Sequence, residues 1–282
     1  MDGLVETAPA KVNLWLNVVG RRADGYHLLN SLVAFSDLAD TLEIAPADGL
    51  TLAVEGLGAE ALSAEADNLV LRAARLLAAE TGRTPRAALR LIKRIPMAAG
   101  LGGGSADAAA ALRGLAELWN IAPADVDLSG LATRLGADVP MCLAGRPAIA
   151  SGVGEVLEPA PTLPRCGLLL VNPGVPLPTP AVFSARRGPF SPTLQVERAW
   201  TDLDSFAAAL AVRGNDLTDG AISLQPVVGD VLAVLRRSPG VRYAAMSGSG
   251  ATCFALYGSV AEAEAVSSGL PVAWWRHAGR LM

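Results

Sequence analysis

The chain reads Pro96-Met97-Ala98-Ala99-Gly100-Leu101-Gly102-Gly103-Gly104-Ser105-Ala106 between an alternating apolar segment, residues 87–95, and an alanine-rich segment, residues 106–119. The first pattern predicts a strand that Pro96 ends, and the second predicts a helix. Glycine lets the backbone turn sharply and approach a ligand closely because it has no Cβ. The start of a helix presents unpaired N–H groups and the positive end of the helix dipole. The segment therefore predicts an anion-binding loop, to which Ser105 adds a hydroxyl for a phosphate oxygen or a metal ion.

Two well-known phosphate-binding loops do not match this segment. A P-loop ends in Gly-Lys-Ser/Thr, and residues 96–106 contain no lysine. A dinucleotide fingerprint needs a third glycine where Ser105 stands and an acidic residue about 20 residues later at a strand end. A flexible glycine loop without a ligand is the alternative, but four glycines at a strand-to-helix junction cost conformational entropy.

The composition favours a globular protein of one large domain or two ordinary ones. The chain has 282 residues, of which 51% are hydrophobic and 18% are charged. A formal net charge of −4 argues against a general nucleic-acid binder. No stretch combines a length of roughly 20 residues with the continuous apolar character that crosses a bilayer, and the first residues lack a secretory pattern. We therefore expect a cytoplasmic protein that binds neither nucleic acid nor membrane, with Cys142, Cys166 and Cys253 as buried thiols.

Periodicity elsewhere predicts strands and helices mixed along the chain, which indicates an α+β fold rather than a doubly wound parallel sheet. The expected strands are residues 10–19, 41–44, 50–54, 167–171, 241–245, 252–257 and 272–275. The expected helices are residues 69–81, with Asp67-Asn68 as N-cap, and residues 128–135, 204–212, 227–237 and 261–268. The strands 41–44 and 50–54 are predicted to form a hairpin. Proline-rich segments indicate a domain edge near residues 155–165.

Two polar positions could carry chemistry beside the loop. Lys11 and Asn13 are alternate residues of a predicted strand, so they point to the same face. Among 23 lysines and arginines only Lys11 and Lys93 are lysines, a weak sign that an ammonium is needed there. A surface lysine is the alternative for Lys11. Asp138 follows a predicted helix in Gly136-Ala137-Asp138-Val139-Pro140, where its carboxylate either acts chemically or merely caps the next element.

Two further segments leave alternatives open. Asp24-Gly25-Tyr26-His27 joins a turn to an aromatic ring and an imidazole, which could bind a flat ring or could cover the edge of a core. Ser247-Gly248-Ser249-Gly250 separates two predicted strands and is either a plain hairpin turn or a second phosphate or substrate loop. His277, the other histidine of the chain, is expected to be incidental.

These segments, in this order and spacing, together with Ala8-Pro9-Ala10-Lys11-Val12-Asn13-Leu14 and residues 172–183, resemble the GHMP kinase superfamily. The similarity spans nearly the whole chain and is weakest over residues 184–240. It implies a two-domain α+β GHMP kinase fold. Residues 1–157 would form a nucleotide-binding N-terminal domain related to the second domain of ribosomal protein S5, and residues 158–282 a ferredoxin-like C-terminal domain.

The resemblance also implies roles for individual residues. Lys11 and Asp138 match the catalytic positions, with Asp138 as the base for the acceptor hydroxyl and Lys11 as its cationic partner. The nucleotide-binding positions are Asn68 and the loop residues Pro96, Met97, Ala98, Ala99, Gly100, Leu101, Gly102, Gly103, Gly104, Ser105 and Ala106. The substrate-binding positions are Asn13, Tyr26, His27, Thr179 and Phe183. Asp107 stands where some relatives carry asparagine, and it either turns away from the phosphates or helps with magnesium.

The implied reaction is ATP-dependent phosphorylation of a small-molecule substrate that bears a cytidine diphosphate group, with Mg²⁺ as a cofactor. Tyr26 and His27 match positions that hold the cytosine ring, and the sequence assigns no metal ligand. Two alternatives stay open. A homoserine- or mevalonate-type kinase would have no nucleobase for Tyr26 and His27 to hold, and a non-catalytic nucleotide-binding relative would not need both Lys11 and Asp138. The sequence leaves a monomer and a weak homodimer both open.

Overall fold

The structure, a computed structural model, describes residues 3–63, 67–196 and 199–282. Helices and strands are mixed along these residues, which confirms the predicted α+β class. The strands are β1 Leu4–Arg21, β2 His27–Ala45, β3 Leu50–Gly56, β4 Ala87–Lys93, β5 Ala148–Gly152, β6 Val156–Pro159, β7 Gly167–Asn172, β8 Tyr243–Met246, β9 Cys253–Tyr257 and β10 Trp275–Arg280. The helices are α1 Ala59–Ser63, α2 Leu69–Glu80, α3 Gly103–Leu118, α4 Leu128–Leu135, α5 Val139–Ala144, α6 Thr179–Ala185, α7 Leu203–Arg213, α8 Thr218–Leu224, α9 Val227–Arg236 and α10 Val260–Ser268.

Contacts between residues divide the chain into two compact units that interleave along the sequence. The first unit comprises Met1–Ala10, Leu38–Met97 and Gly102–Gly145. The second comprises Lys11–Asp37, Ala98–Leu101 and Arg146–Met282. The long strands β1 and β2 each contribute residues to both units. The domain boundary between residues 157 and 158 comes from the resemblance to related domains and not from contacts within this chain. It stays a prediction.

The first unit contains a sheet in which β4 lies between β3 and the end of β2. β3 pairs with β4 in parallel, from Leu50 opposite Ala87 onward. β2 pairs with β4 in an antiparallel register, from Thr41 opposite Ile92 onward. The predicted hairpin of residues 41–44 with 50–54 is therefore wrong. Helices α1 and α2 connect β3 to β4, and a helical crossover is what joins parallel neighbours.

Helices α2 and α3 of the first unit pack against each other, and alanine is frequent among their buried residues. α2 begins at Asn68, whose Oδ1 accepts a hydrogen bond of 2.9 Å from the N–H of Val70, as its N-cap prediction requires. The buried residues of α2 recur at helical spacing and are Val70, Ala73, Ala74, Leu77 and Ala78. α3 is buried on most of its surface, because its run of alanines allows neighbouring elements to approach. α4 ends at Gly136 as predicted.

The second unit contains a four-stranded antiparallel sheet in the order β10-β7-β9-β8. All six residues of β7 are buried, because the strand is central in the sheet and covered on its faces. The order, with helices between β7 and β8 and α10 between β9 and β10, is the ferredoxin-like β-α-β-β-α-β arrangement. This confirms the predicted type of the C-terminal fold. In the same unit, residues 29–33 of β2 pair with β5.

Several elements differ from the sequence predictions. The last strand begins at Trp275, where the predicted strand 272–275 ends, because the N–H of Trp274 bonds the carbonyl of Pro271 in a turn and Val272 is 91% exposed. β2 extends far beyond the predicted segment 41–44. The short helices α1, α5, α6 and α8 were not predicted, since five to seven residues carry too little periodicity to recognise.

Candidate functional site

The glycine loop has the backbone geometry of an anion-binding turn. Gly100 and Gly102 adopt left-handed φ angles of 74° and 65°, which favour glycine. Gly102 is the N-cap of α3 and, lacking a side chain, makes no cap hydrogen bond. The first N–H groups of this 16-residue helix therefore have no side-chain cap at Gly102, and they can bind a negatively charged group.

A second loop, residues 247–250, packs against the glycine loop within the second unit. A Cβ on Gly100 would lie 2.7 Å from the carbonyl oxygen of Gly250 and 2.8 Å from that of Ser247. The hydroxyl of Ser247 donates a hydrogen bond of 3.2 Å to the carbonyl of Gly100 and accepts one of 3.1 Å from the N–H of Asn13. Residues 247–250 are thus more than a free hairpin turn, because they fix the backbone of the glycine loop.

Lys11 lies buried beside these loops, at 6% exposure, which excludes the surface-lysine alternative. Its Nζ donates a hydrogen bond of 2.6 Å to Oδ1 of Asn13, as expected for alternate residues on one strand face. The Nδ2 of Asn13 donates a bond of 2.8 Å to the hydroxyl of Ser31, which in turn donates one of 2.6 Å to the carbonyl of Trp15. No sequence motif marks Ser31, which orients Asn13 and through it the ammonium.

Asp138 occupies the N-cap position of α5 and is half-buried. Its carboxylate makes no cap hydrogen bond to the helix, so the alternative in which Asp138 merely caps the next element is not supported. Asp138 belongs to the first unit, with Asn68, Pro96, Met97 and residues 102–106, whereas Lys11 belongs to the second.

An aromatic pair occupies the second unit at the predicted substrate positions. The rings of His27 and Phe183 are stacked, with centroids 5.0 Å apart and planes inclined by 23°. Tyr26 is exposed, and its N–H bonds the carboxylate of Asp24 within the turn. Burial lowers the pKa of His27, and the charges of Arg21 and Arg186 lower it further. The imidazole is therefore neutral at pH 7, with one nitrogen that donates and one that accepts.

The remaining predicted positions have local partners. The hydroxyl of Thr179, at the start of α6, lies 2.8 Å from that of Ser249, so this substrate position contacts the second loop. Asn68 is buried and uses its carbonyl oxygen to cap α2. Met97 is 46% exposed, so its thioether can contact a ligand.

A buried charged cluster, which no sequence motif indicated, flanks the glycine loop in the first unit. The ammonium of Lys93 donates hydrogen bonds to Oδ2 of Asp40 and, at 2.6 Å, to Oδ2 of Asp107. Desolvation lowers the pKa of Lys93, but attraction to Asp107 and Asp40 outweighs it and raises that pKa above its usual value. Burial raises the pKa of Asp107 to about 7, against the attraction of Lys93. In the sequence, this cluster is indicated only by the scarcity of lysine, since Lys93 is one of two lysines in the chain.

The described residues do not form a metal centre of their own. Among them, no group of three or more His, Cys, Asp and Glu side chains could hold a metal ion. Asp107 is paired with Lys93, whose ammonium donates to its Oδ2 at 2.6 Å. The three cysteines are buried as predicted, and burial raises the pKa of the Cys166 thiol to about 11. Along the described ranges, no helix combines the length and apolar character that a membrane span requires.

The fold and the phosphate-type loop agree with matches to known families. The model of the GHMP kinases N terminal domain matches residues 68–146, and that of the GHMP kinases C terminal domain matches residues 195–275. The chain belongs to the GHMP kinase family.

Within the family, the similarity is high to one kind of enzyme. A 4-diphosphocytidyl-2-C-methyl-D-erythritol kinase from Paramagnetospirillum magneticum is 56% identical over 271 residues, which are 95% of each chain. The crystal structure of a 4-(cytidine 5'-diphospho)-2C-methyl-D-erythritol kinase superposes with a TM-score of 0.82 at 40% identity, over 99% of both chains. A homoserine kinase from Cytophaga hutchinsonii gives a TM-score of 0.71 at 16% identity, over 99% of this chain and 95% of that one, and shares the fold alone.

Proposed function

We propose that the chain transfers the γ-phosphoryl group of ATP to the 2-hydroxyl of 4-diphosphocytidyl-2-C-methyl-D-erythritol, giving the 2-phosphate and ADP. This reaction belongs to isoprenoid precursor biosynthesis by the non-mevalonate route. The observation that carries the proposal is 56% identity across 95% of both chains to a kinase named for this acceptor. The neutral His27 ring, at a predicted nucleobase position and stacked on Phe183, also supports it.

The glycine loop is suited to the phosphates of ATP. Its uncapped helix start offers N–H donors and the positive end of the α3 dipole to the polyphosphate. Phosphoryl transfer needs charge stabilisation and in-line positioning more than covalent chemistry from the protein. The left-handed glycines allow the backbone itself to supply these contacts.

Asp138 would act as the base and Lys11 as its cationic partner. As the acceptor oxygen bonds to the γ-phosphorus, its proton passes to the Asp138 carboxylate, and the bond to the β–γ bridging oxygen breaks so that its electron pair leaves with ADP. Asp138 lies within residues 68–146, which match the GHMP kinases N terminal domain, and this match supports the role. The Lys11 ammonium, held by Asn13, would offset negative charge that develops on the transferred group.

Mg²⁺ would accompany ATP rather than occupy a cage of protein carboxylates. Magnesium typically keeps several waters and binds through substrate phosphates with one or two protein ligands. The described residues do not fit a protein-held metal centre, since none of their acidic groups form a suitable cluster. We therefore assign no step of the reaction to a residue acting on the metal.

The cytosine ring would be recognised around His27. A neutral imidazole presents one donor and one acceptor, which suits the mixed donor and acceptor edge of cytosine. The stack with Phe183 fixes the plane of the His27 ring, and Tyr26 is exposed beside it. Asn13 and Thr179 complete the proposed acceptor site. Two rings 5.0 Å apart leave no room for a base between them, so we expect the base to bind at the edge of His27.

The proposal is tested by comparing three acceptors with the purified chain: the cytidyl compound, homoserine and mevalonate. We expect kcat/KM for the cytidyl compound to exceed the others by orders of magnitude, and His27→Ala to lower it while leaving the KM for ATP unchanged. Activity on homoserine or mevalonate with none on the cytidyl compound would replace this function by the other kinase type. Nucleotide binding without turnover of any acceptor would favour the non-catalytic alternative.

A further inference from the structure

Three charged side chains are buried together in the first unit, and the proposed reaction gives none of them a role. They are Asp40 on β2, Lys93 at the end of β4 and Asp107 on α3, and they are 0%, 4% and 3% exposed. β4 and α3 are the elements that precede and follow the glycine loop. The cluster therefore connects the two flanks of the candidate phosphate site.

The connections within the cluster run from backbone to backbone. Oδ1 of Asp40 accepts hydrogen bonds from the N–H groups of Arg94, at 2.5 Å, and Ile95, at 2.9 Å, directly after β4. Oδ2 of Asp40 accepts from the Lys93 ammonium, which also donates to Oδ2 of Asp107 on α3. The end of β4 is thus tied to the second turn of α3 through a single ammonium.

The first turn of α3 rests directly on this cluster. A Cβ on Gly103 would lie 3.3 Å from Nζ of Lys93 and 3.1 Å from a methyl carbon of Ile95. The Lys93 ammonium therefore lies close beside the start of the helix. The N–H groups that the glycine loop offers to phosphate lie in this same turn.

Fold stability alone is a poor explanation for the cluster. Two carboxylates share one ammonium out of contact with water, and Oδ1 of Asp107 has no hydrogen-bond partner among the described residues. Burying charges costs free energy that a buried ion pair often fails to recover, and apolar residues of similar volume serve stability as well or better. What such a cluster supplies is a fixed geometry.

We propose that Asp40, Lys93 and Asp107 form a positioning triad that holds the first turn of α3 in the orientation that binds the nucleotide phosphates. The inference rests on the nucleotide-binding part of the proposed function and is independent of the acceptor. All three side chains are buried, and in this role they act through the backbone of Gly103 and its neighbours.

The test measures the dissociation constant of ADP by calorimetry on the full chain, with no acceptor present. Asp107→Ala cuts the link to α3 but leaves Lys93 paired with Asp40, so the fold should persist. We expect it to weaken ADP binding by about tenfold, as loss of a supporting contact behind a binding group does. Asp107→Asn keeps a side-chain oxygen that can accept a hydrogen bond from Lys93. We therefore expect its ADP dissociation constant to lie within about threefold of the parent's.

A matched control lies on the same strand. Arg90 also sits between two carboxylates, Glu43 at 2.9 Å and Glu55 at 2.7 Å, but this trio is exposed and outside the loop. Glu55→Ala removes one of two carboxylates from a shared cation, as Asp107→Ala does. It should leave ADP affinity unchanged.

The outcomes separate positioning from structure. The proposal holds if Asp107→Ala loses ADP affinity while its thermal midpoint stays near the parent's and Asp107→Asn restores binding. It is overturned if Asp107→Ala binds ADP like the parent, or if Glu55→Ala loses as much. Should Asp107→Ala not fold, the triple variant Asp40→Asn, Lys93→Met, Asp107→Leu, which leaves no buried charge in the cluster, decides by the same two outcomes. If the parent protein binds ADP but does not phosphorylate the cytidyl acceptor, the proposed function is contradicted. The comparison of ADP affinities still decides the role of the triad.

Discussion

The Lys11 ammonium and the Asn13 side-chain oxygen are hydrogen-bonded at 2.6 Å on one face of a buried strand. Asn13 is held in turn by two hydrogen bonds that it donates. Its side-chain Nδ2 donates to the hydroxyl of Ser31, and its backbone N–H donates to the hydroxyl of Ser247. A lysine side chain has several rotatable bonds, so its charge acts at a defined place only when a neighbour fixes it. Asn13 therefore determines where the proposed catalytic cation lies.

Replacing Asn13 should consequently impair turnover more than folding. We expect Asn13→Ala to lower kcat by about tenfold to a hundredfold, because a misplaced catalytic group loses much of its effect. Asn17→Ala is the matched control: Asn17 is buried on the same strand and bonds the carbonyl of Arg213, away from Lys11. Steady-state kinetics at a temperature where both variants are folded checks this, and equal losses in kcat would contradict it.

Asp138→Asn tests the proposed base. Loss of a general base costs about 10²- to 10⁴-fold in kcat, and the ATP dissociation constant should hardly change. Asp127→Asn provides the control, since Asp127 is also an N-cap residue, of α4, without a side-chain cap hydrogen bond. Turnover that survives in Asp138→Asn would show that another group takes the proton.

Gly100→Ala should disable the glycine loop for two separable reasons. Its φ of 74° is strained for alanine, and the new Cβ would meet two backbone carbonyl oxygens within 3 Å. Gly82→Ala isolates the first effect, because Gly82 has a φ of 64° and nothing within 4 Å of an added Cβ. We expect Gly82→Ala to cost about 1–2 kcal/mol of unfolding free energy with normal ADP binding. Gly100→Ala should cost more and should also weaken ADP binding. Indistinguishable variants would mean that the close approach at Gly100 is unimportant.

Phe183→Leu tests the stack beneath His27. Aromatic pairs contribute about 0.5–1.5 kcal/mol beyond burial, so we expect roughly a twofold to tenfold higher KM for the cytidyl acceptor. The KM for ATP should stay constant, and Phe183→Tyr should behave like the parent. Phe190→Leu is a control in the same segment, where Phe190 is exposed and lies under Arg186 rather than against His27. An unchanged acceptor KM in Phe183→Leu would remove this ring from the site.

The raised pKa of Asp107 predicts that the free energy of unfolding depends on pH. Burial raises the pKa of Asp107 to about 7, so the folded state holds its proton more tightly than the unfolded state does. This contribution is fully present below about pH 4 and is lost as pH rises through about 7. Urea unfolding should show the advantage of Asp107→Asn over the parent growing between these limits, by at most about 1.4 kcal/mol per pH unit.

Asp202→Asn serves as a control of opposite sign. Hydrogen bonds from the backbone and side chain of Ser205 lower the pKa of Asp202, so its contribution to stability is lost only in acid. Its difference from the parent should stay constant between pH 5 and 8. A pH-independent difference for Asp107→Asn over the same range would show that the group does not retain its proton in the folded state.

Local patterns predicted much of this molecule because they act over a few residues. The N-cap at Asn68, the stop at Gly136 and the glycine loop before α3 all follow from backbone preferences of their own residues. Which strands pair with each other does not follow from such local preferences. The apolar pattern of residues 41–44 and 50–54 is the same whether β3 pairs with β2 or with β4, so the pairing depends on residues far apart in the chain.

The site shows the same limit. Lys11 and Asn13 were recognisable from strand alternation, but Ser31 lies 18 residues from Asn13 and has no motif. Asp40 and Lys93 are 53 residues apart, so their pairing depends on the register of β2 with β4. Lysine is rare in the chain, which drew attention to Lys93, but the sequence does not indicate that Lys93 pairs with Asp40 and Asp107. The roles of Lys11 and Asp138 themselves stay predictions.

The acceptor is tested most directly by ³¹P NMR of the product. Purified chain, ATP, Mg²⁺ and 4-diphosphocytidyl-2-C-methyl-D-erythritol should give one new phosphomonoester resonance, which no vicinal proton splits because carbon 2 of the erythritol carries no hydrogen, with one ADP formed for each. The Asp138→Asn variant should give neither signal over the same time. ATP that stays intact with this acceptor, while homoserine or mevalonate is phosphorylated, would contradict the account.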